Sequence, residues 1–220
     1  MGWQQVRLLD LYSKAGGAAM GYHRAGFEVV GVDIKKQKRF PFTFIQADAL
    51  EVLEDKAFLA SFDVIAASPP CQTHSSTRHL RNAQGKSTTK IDLIPQTRAA
   101  LIESGKPYVI ENVPGAPLIN PIQMCGSSFG LTVRRHRLFE SNYQLTGSIC
   151  DHKAQGKPVG IYGSMRDEIP GGGHTAKTIE QAREAMGIDW MIWGELVEAI
   201  PPAYTFEIGK QLLGAMNETN

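Results

Sequence analysis

The chain has 220 residues, of which 42% are hydrophobic and 20% charged, and its formal net charge at pH 7 is +1. These values are ordinary for one globular domain with a substantial core, and a charge so close to zero indicates no class of partner. The cysteines are odd in number and widely spaced, which argues against a disulfide framework and favours a reducing compartment. The sequence shows no apolar run of membrane-spanning length and no basic-then-apolar leader, so we expect no membrane association.

The first half of the chain alternates between short apolar runs and helical patterns. Five runs are almost continuously apolar, as the buried strands of a parallel sheet are: residues 6–12, 27–34, 42–48, 62–68 and 107–113. Helical patterns lie between them, at residues 18–25, 50–61 and 93–104. The alternation predicts an α/β sandwich, in which helices pack on a mostly parallel sheet through right-handed crossovers.

The second half of the chain is less regular. Residues 134–141 could form another strand, whereas residues 142 to about 175 are rich in glycine, serine and turn residues and lack periodicity. Helical patterns return at residues 178–186, near residues 191–199 and after Pro201 and Pro202. We therefore expect a main domain, made of residues 1–140 and 176–220, and a small irregular insert at residues 141–175, called the insert below.

The predicted strands end in polar or glycine-rich segments, and the first of these is a glycine loop, "YSKAGG" at residues 12–17. Ligands of open α/β sheets bind beyond the carboxyl ends of the strands, although this loop does not fit the GxGxxG spacing well. Asp33 stands where a strand-end carboxylate binds ribose hydroxyls, and Asp48 could accept from an adenine amine. The alternative is that Asp33 and Asp48 only cap the helices that follow them.

The sharpest local signal is "SPPCQTHSS" at residues 68–76. Two prolines fix the backbone at the end of a predicted strand, and Cys71 follows them at the expected ligand-binding edge. A free cysteine is often only a small buried hydrophobe, but beside a basic segment it can have a lowered pKa and act as a nucleophile. Glu111 would end the neighbouring strand. A thiolate and a carboxylic acid across one pocket suit attack on an electron-poor ring with protonation of a ring nitrogen.

Together these motifs resemble a short, phage-like form of the DNA (cytosine-5)-methyltransferases. The segments that carry the resemblance follow that family's order: residues 12–17, "PPCQ" at 69–72, "ENV" at 111–113, "RHRLF" at 135–139 and "IPPAYTFEIG" at 200–209. The resemblance covers nearly all of the chain except the insert. It implies a Rossmann-like class I methyltransferase sandwich that binds S-adenosylmethionine, with the insert recognising the target.

The resemblance also implies a reaction. Cys71 would add to C6 of cytosine, so that C5 can accept a methyl group from the sulfonium of S-adenosylmethionine. Glu111 would protonate or hydrogen-bond N3 and the exocyclic amine, while Arg135 and Arg137 would hold the base carbonyl and a phosphate. Since none of these groups can reach a stacked base, the cytosine must be flipped out of double-stranded DNA.

Binding residues are implied in the same way. Those for the cofactor are Tyr12, Ser13, Lys14, Ala15, Gly16, Gly17, Asp33, Ile34, Asp48, Ala49 and Pro69. Those for DNA are Gln72, Ser75, Arg78, Arg81 and Lys86, in a segment that has no acidic residue and whose affinity for DNA would fall as salt rises. A solvated basic face is the plain alternative.

We expect no obligate protein partner, and a location in the cytoplasm of a bacterial or phage-infected cell.

The sequence departs from the family pattern at several positions. Val133 replaces a usual glutamine, residues 195–198 replace a Gln-x-Gly-Asn stretch, and Lys14 replaces a glycine of the loop. A lysine ammonium near the donor sulfonium would be repelled. Lys14 could be solvated, or could bind the methionine carboxylate of the usual donor. Alternatively it could select carboxy-S-adenosylmethionine, whose extra carboxylate it would attract, and the product would then be 5-carboxymethylcytosine.

Two further functions stay open. An RNA cytosine-C5 methyltransferase would share the thiolate chemistry, and an inactive homologue would keep only DNA binding. We expect no metal site, because Cys150, His152 and His174 match no strong zinc-binding spacing and are interpreted as hydrogen-bonded polar residues.

Overall fold

The computed structural model describes residues 5–70, 92–163 and 168–218. The predicted nucleophile and the predicted DNA-binding residues lie outside these ranges, so their roles stay predictions: Cys71, Gln72, Ser75, Arg78, Arg81 and Lys86. Within the described ranges, none of the helices combines the length and the hydropathy that a membrane crossing requires.

A seven-stranded sheet forms the centre of the described chain, in the order β3-β2-β1-β4-β5-β7-β6. Its parallel strands are β1 (Arg7–Leu11), β2 (Glu28–Asp33), β3 (Thr43–Gln46), β4 (Val64–Ala67) and β5 (Tyr108–Asn112). β7 (Arg137–Ser141) runs antiparallel to β5, and β6 (Ile122–Met124) runs antiparallel to β7. The predicted mostly parallel sheet is confirmed, and β6 is a strand that the sequence did not predict.

Helices pack on both faces of this sheet. The described helices are α1 (Gly17–Ala25), α2 (Ala49–Glu54), α3 (Lys56–Leu59), α4 (Ile94–Ser104), α5 (His152–Gln155), α6 (Ile179–Met186), α7 (Trp193–Glu198) and α8 (Pro202–Glu218). The single helix predicted over 50–61 is two helices. It is interrupted at Asp55, whose side chain accepts a hydrogen bond from the Phe58 backbone N–H and so caps α3.

The two faces of the sheet carry separate apolar cores, because successive side chains of a strand point to opposite faces. Leu8 packs with residues of α1 and α8, whereas Leu9 and Leu11 pack with residues of α2 and α4. α1 and α8 approach each other closely at Gly21, where an added Cβ would lie 2.2 Å from the Pro202 carbonyl oxygen. The sheet is therefore covered on both faces, and ligand access is left to its edge and ends.

The insert contains more structure than its composition predicts. Two short parallel strands, β8 (Val159–Gly160) and β9 (His174–Thr175), pair with each other. Val159 and Ile161 share a third apolar core with Ala15, Val133 and residues of α6 and α7. The insert thus packs directly against the glycine loop and the segment that leads into β7, and it helps to enclose the ligand edge of the sheet.

Candidate active site

A cavity of about 870 Å³ lies at the carboxyl ends of β1, β4 and β5. The glycine loop forms one wall, residues 68–70 and Glu111 form the floor beside it, and the insert with residues 195–200 forms the opposite side. β1 lies between β2 and β4, so the strand order reverses here, which is where open α/β sheets bind their ligands. The volume is in the range of sites for small organic ligands.

The predicted cofactor residues fall into two groups. Tyr12, Ser13, Lys14, Ala15, Gly17 and Pro69 line the cavity, whereas Gly16, Asp33, Ile34, Asp48 and Ala49 do not. The Asp33 carboxylate accepts the backbone N–H groups of Lys14 at 3.1 Å and Lys35 at 2.9 Å. Asp48 accepts from the Leu50 N–H at 2.8 Å and caps α2, as the capping alternative predicts. Binding of ribose and adenine by these two acids stays a prediction.

The glycine loop has a left-handed backbone at three positions. The φ angles are 60° at Tyr12, 49° at Lys14 and 82° at Gly16. Hydrogen bonds from the Ser13 N–H to the Val32 carbonyl and from the Gly16 N–H to the Ser13 carbonyl, both 3.0 Å, hold the turn. Lys14 therefore occupies a conformation that glycine adopts without cost, and its Cβ raises the energy by about 1 kcal/mol.

Glu111 and Arg137 form an ion pair beside the cavity. Glu111 is in β5 and Arg137 begins the antiparallel β7, so the sheet itself brings the two side chains together. Glu111 Oε1 lies 2.9 Å from Arg137 Nε. Burial raises the pKa of Glu111, while Arg137, the Ser68 hydroxyl and Arg135 act in the opposite direction. A carboxyl group with a raised pKa retains a proton closer to neutral pH and can donate it.

Arg135 contacts the backbone of other segments. Its guanidinium donates to the carbonyl oxygens of Leu196 at 2.9 Å, Ala199 at 2.6 Å and Ile161 at 3.0 Å. Burial lowers the pKa of Arg135 to about 9, so the group is still charged at neutral pH. The side chain ties α7 and the insert to the segment before β7, and its predicted contact with the base stays a prediction.

The sequence did not single out Asn112 as a functional residue. Asn112 is buried at the end of β5, and its Nδ2 donates to the Pro69 carbonyl oxygen at 2.9 Å while its Oδ1 accepts from the Val113 N–H at 2.9 Å. This bond fixes the double proline after β4 next to Glu111. The available signal was an amide at the end of an otherwise apolar strand, where a buried polar group needs a partner.

Asp10 is the other residue that the sequence did not single out. It is 1% exposed in β1 and lines the cavity. Burial, with Asp33 and Glu111 as further causes, raises the pKa of Asp10 to about 8. In the part of the chain that the structure describes, Asp10 Oδ2 and Ser13 Oγ are buried without a hydrogen bond, while Glu111 Oε1 contacts Arg137 Nε in the ion pair. Asp10 and Ser13 line this cavity, and buried polar atoms are normally paired, so the cavity fits a polar ligand.

A comparison with protein families decides the identity. The family model of C-5 cytosine-specific DNA methylases matches residues 6–120. The chain belongs to this family. The matched range contains the glycine loop, the double proline and Glu111, that is, one wall and the floor of the cavity.

Two curated Type II methyltransferases agree with this assignment. The chain is 36% identical over 83 residues to the Type II methyltransferase M.FnuDI of Fusobacterium nucleatum, which is 34% of this chain and 24% of that protein. It is 28% identical over 98 residues to the Type II methyltransferase M.HgiGI of Herpetosiphon aurantiacus, which is 40% of this chain and 78% of that protein. The match thus spans about a quarter of the first relative.

The fold is also known from a solved structure. A candidate DNA modification methyltransferase encoded within an E. coli prophage superposes with a TM-score of 0.64 at 15% identity, covering 96% of this chain and 99% of that one. At this identity the likeness concerns the fold alone. It confirms the predicted class I methyltransferase sandwich.

Two departures from the family's usual pattern meet at the mouth of the cavity. Lys14 stands at a glycine position, and Glu198 stands in the stretch that replaces Gln-x-Gly-Asn. Lys14 Nζ lies 3.4 Å from Glu198 Oε2, with the two side chains 50% and 56% exposed, and both residues line the cavity. The positive charge of Lys14 in the glycine loop is therefore accompanied by the negative charge of Glu198.

Proposed function

We propose that the protein is a DNA cytosine-C5 methyltransferase that uses S-adenosylmethionine and a covalent bond from Cys71 to a flipped-out cytosine. The observation that carries the proposal is the buried Glu111 at the cavity, paired with Arg137 at 2.9 Å. Asn112 holds Pro69 beside it, and Cys71 follows Pro69 by two positions in the sequence. The proposed acid lies in β5, and in the sequence the proposed nucleophile follows the last residue of the neighbouring β4, Ala67, by four positions.

The residues of the site then have distinct roles. The Cys71 thiolate adds to C6 of the cytosine, and the raised pKa of Glu111 allows its carboxyl group to give a proton to N3 as charge develops there. Arg137 orients the Glu111 carboxyl group through their ion pair. S-adenosylmethionine, when bound, supplies the electrophilic methyl group that C5 accepts. Loss of the C5 proton to a base then releases Cys71.

The residues that would hold S-adenosylmethionine are those of the glycine-loop wall. Ser13 Oγ and Asp10 Oδ2 are buried and without hydrogen-bond partners, so both can contact a polar ligand. Double-stranded DNA would approach from the open side of the cavity. The Arg135 guanidinium, which binds carbonyl groups of α7 and the insert, keeps the two sides of that opening in place.

Trapping on fluorinated DNA tests the proposal. With 5-fluorocytosine in a double-stranded substrate and S-adenosylmethionine present, the C5 fluorine cannot leave as a proton does, so the Cys71–C6 bond persists. We expect a covalent protein–DNA adduct that Cys71→Ala abolishes. An equal amount of adduct with the alanine variant, or none with the unaltered protein on any duplex, would refute the covalent mechanism. The same assay with tRNA as acceptor separates DNA from RNA as the substrate.

The second candidate is transfer of a carboxymethyl group from carboxy-S-adenosylmethionine. It is supported by the position of Lys14 on the cavity wall, from which an ammonium could attract a donor carboxylate. Glu198, at 3.4 Å, reduces that attraction, and for this reason we propose the methyl donor as the first candidate. Mass spectrometry of nucleosides from DNA of expressing cells distinguishes the products. A lone methyl product that is unchanged by Lys14→Gly excludes the carboxymethyl reaction.

A further inference from the structure

Four metal-binding side chains meet on the side of the molecule that carries β6 and β7. They are Cys125, His136, Cys150 and His152, and their ligand atoms all lie within 4.8 Å of one another. Cys125 Sγ lies 3.3 Å from His152 Nε2, and Cys150 Sγ lies 3.3 Å from His136 Nε2. We call these four residues the Cys/His cluster.

The distances suit a tetrahedral metal ion. With Zn–S bonds of about 2.3 Å and Zn–N bonds of about 2.0–2.1 Å, neighbouring ligand atoms of a tetrahedral site are about 3.4–3.8 Å apart. The two sulfur–nitrogen distances of 3.3 Å are close to this range. Two thiolates and two imidazoles are also a common ligand set of structural zinc sites, and they suit zinc better than magnesium or calcium, which prefer oxygen.

A hydrogen-bond donor lies beside each sulfur atom, and the Arg134 carbonyl oxygen also faces Cys125 Sγ, at 3.4 Å. The Ser127 hydroxyl lies 3.1 Å from Cys125 Sγ, and its oxygen already accepts the Asp151 N–H at 3.0 Å, so its own proton is available to the sulfur. Gln123 Nε2 donates to Cys150 Sγ at 3.7 Å. Cys125 is completely buried, whereas the other three residues are partly exposed, which leaves a path for an ion to enter.

The cluster is separate from the cavity. Arg135 and Arg137 line the cavity, but none of the four cluster residues does, although His136 lies between the two arginines. Two ligands, Cys150 and His152, belong to the insert, and two come from segments next to β6 and β7. A metal ion would therefore join the insert to the main domain at His136, the residue before Arg137 of the ion pair.

From this geometry we propose that the Cys/His cluster is a structural Zn²⁺ site. Four protein ligands fill the tetrahedral shell, which leaves no position for substrate or water. Binding displaces the two thiol protons to solvent, and no other bond changes. The ion fixes residues 135–137, and with them the orientation of Arg137 towards Glu111.

Metal analysis of the full-length protein tests the site. After expression with added zinc and gel filtration in metal-free buffer that contains a weak chelator, we expect close to one zinc ion per chain. Replacement by Co²⁺ should give the d–d absorption of a tetrahedral ion together with thiolate charge-transfer bands. Protein that is folded by circular dichroism but binds neither ion, or that contains a Cys125–Cys150 disulfide without metal, overturns the proposal.

Substitutions test the ligand set. Cys150→Ser and His152→Asn should lose most of the bound zinc, whereas His174→Asn is a matched control in the same insert, since His174 Nε2 lies against Gln181 Nε2 at 3.3 Å and outside the cluster. His152→Cys should keep the ion and strengthen the thiolate bands of the cobalt form, because a third sulfur joins the shell. Retention of full zinc content by both Cys150→Ser and His152→Asn, or loss of it in His174→Asn, contradicts the assignment.

Discussion

Residues 135–137 contribute to both the cavity and the Cys/His cluster, but the polar atoms of the two regions are bonded in opposite ways. At the cavity, Asp10 Oδ2 and Ser13 Oγ are buried without a hydrogen bond. In the cluster, the polar atoms face one another at 3.3 Å. A site that binds and releases a ligand has to leave polar atoms free, whereas a site that stabilises the fold can satisfy all of its own. Substitutions in the two regions should therefore affect different measurements.

The largest expected effect belongs to the cavity. Glu111→Gln keeps the size of the side chain but removes the proton donor, so we expect the rate of methyl transfer to fall by about 10²–10⁴-fold. The zinc content should not fall, because Glu111 is not one of the four residues of the Cys/His cluster. Single-turnover transfer of a labelled methyl group measures the rate. Activity within a few-fold of the unaltered protein would remove Glu111 from the chemistry.

The next effect belongs to the cluster. His152→Asn should remove a metal ligand and lower the free energy of unfolding by about 3 kcal/mol, which for a chain of this size corresponds to roughly 6–12 °C in melting temperature. A thermal unfolding scan measures the shift. His174→Asn, the control, should change the melting temperature by less than about 2 °C. Equal shifts in melting temperature for the two variants would show that both substitutions destabilise the insert without any effect of a bound ion.

The two regions also differ in how far the sequence could predict them. The five parallel strands are local apolar runs, so they were predictable, and Glu111 was found because it ends such a run. The Cys/His cluster has no local signal. Its ligands come from three segments that meet only because β6 pairs with β7, and β6 has just three residues, Ile122–Met124. The sequence suggests only His174 as a partner for Cys150 and His152, whereas in the structure their partners are the distant Cys125 and His136.

Asp10 and Asn112 show the same limit at the cavity. Both are polar residues inside apolar runs, and the sequence identifies them only as parts of strands. What makes them functional candidates is tertiary: complete burial for Asp10, and the hydrogen bond to Pro69 for Asn112. Burial of a polar group without a partner has a cost in free energy, and this cost can be measured.

The cost at Asp10 depends on pH. In the unfolded chain the Asp10 carboxyl group ionises near its ordinary value of 3.8, but in the folded protein it keeps its proton up to about pH 8. Between these values the unfolded state binds fewer protons, so the contribution of Asp10 to the free energy of unfolding falls as the pH rises. Asp10→Asn should therefore stabilise the protein, by about 1–3 kcal/mol at pH 8 and by less at pH 5, since the buried amide keeps part of the desolvation cost.

Urea unfolding at pH 5, 6.5 and 8 measures this difference between the Asp10→Asn variant and the unaltered protein. A difference that does not change with pH would mean that Asp10 is ionised in the folded state, with a partner that pairs its charge. The gain in stability should be accompanied by weaker binding of S-adenosylmethionine, because residues placed for a ligand are often not those that are best for the fold.

The smallest effect concerns Lys14, where backbone and charge can be separated. Lys14→Gly removes the cost of a side chain at φ 49°, about 1 kcal/mol, and also removes the exposed ion pair with Glu198, which contributes at most about 1 kcal/mol. Lys14→Ala removes the same ion pair but keeps the Cβ. The glycine variant should therefore have a free energy of unfolding about 1 kcal/mol higher than that of the alanine variant, measured in urea. The value of the unaltered protein should fall between those of the two variants, since it has both the backbone cost and the ion pair. If the two variants have equal free energies of unfolding, the backbone at residue 14 is not strained by a side chain, and only the charge of Lys14 contributes to stability.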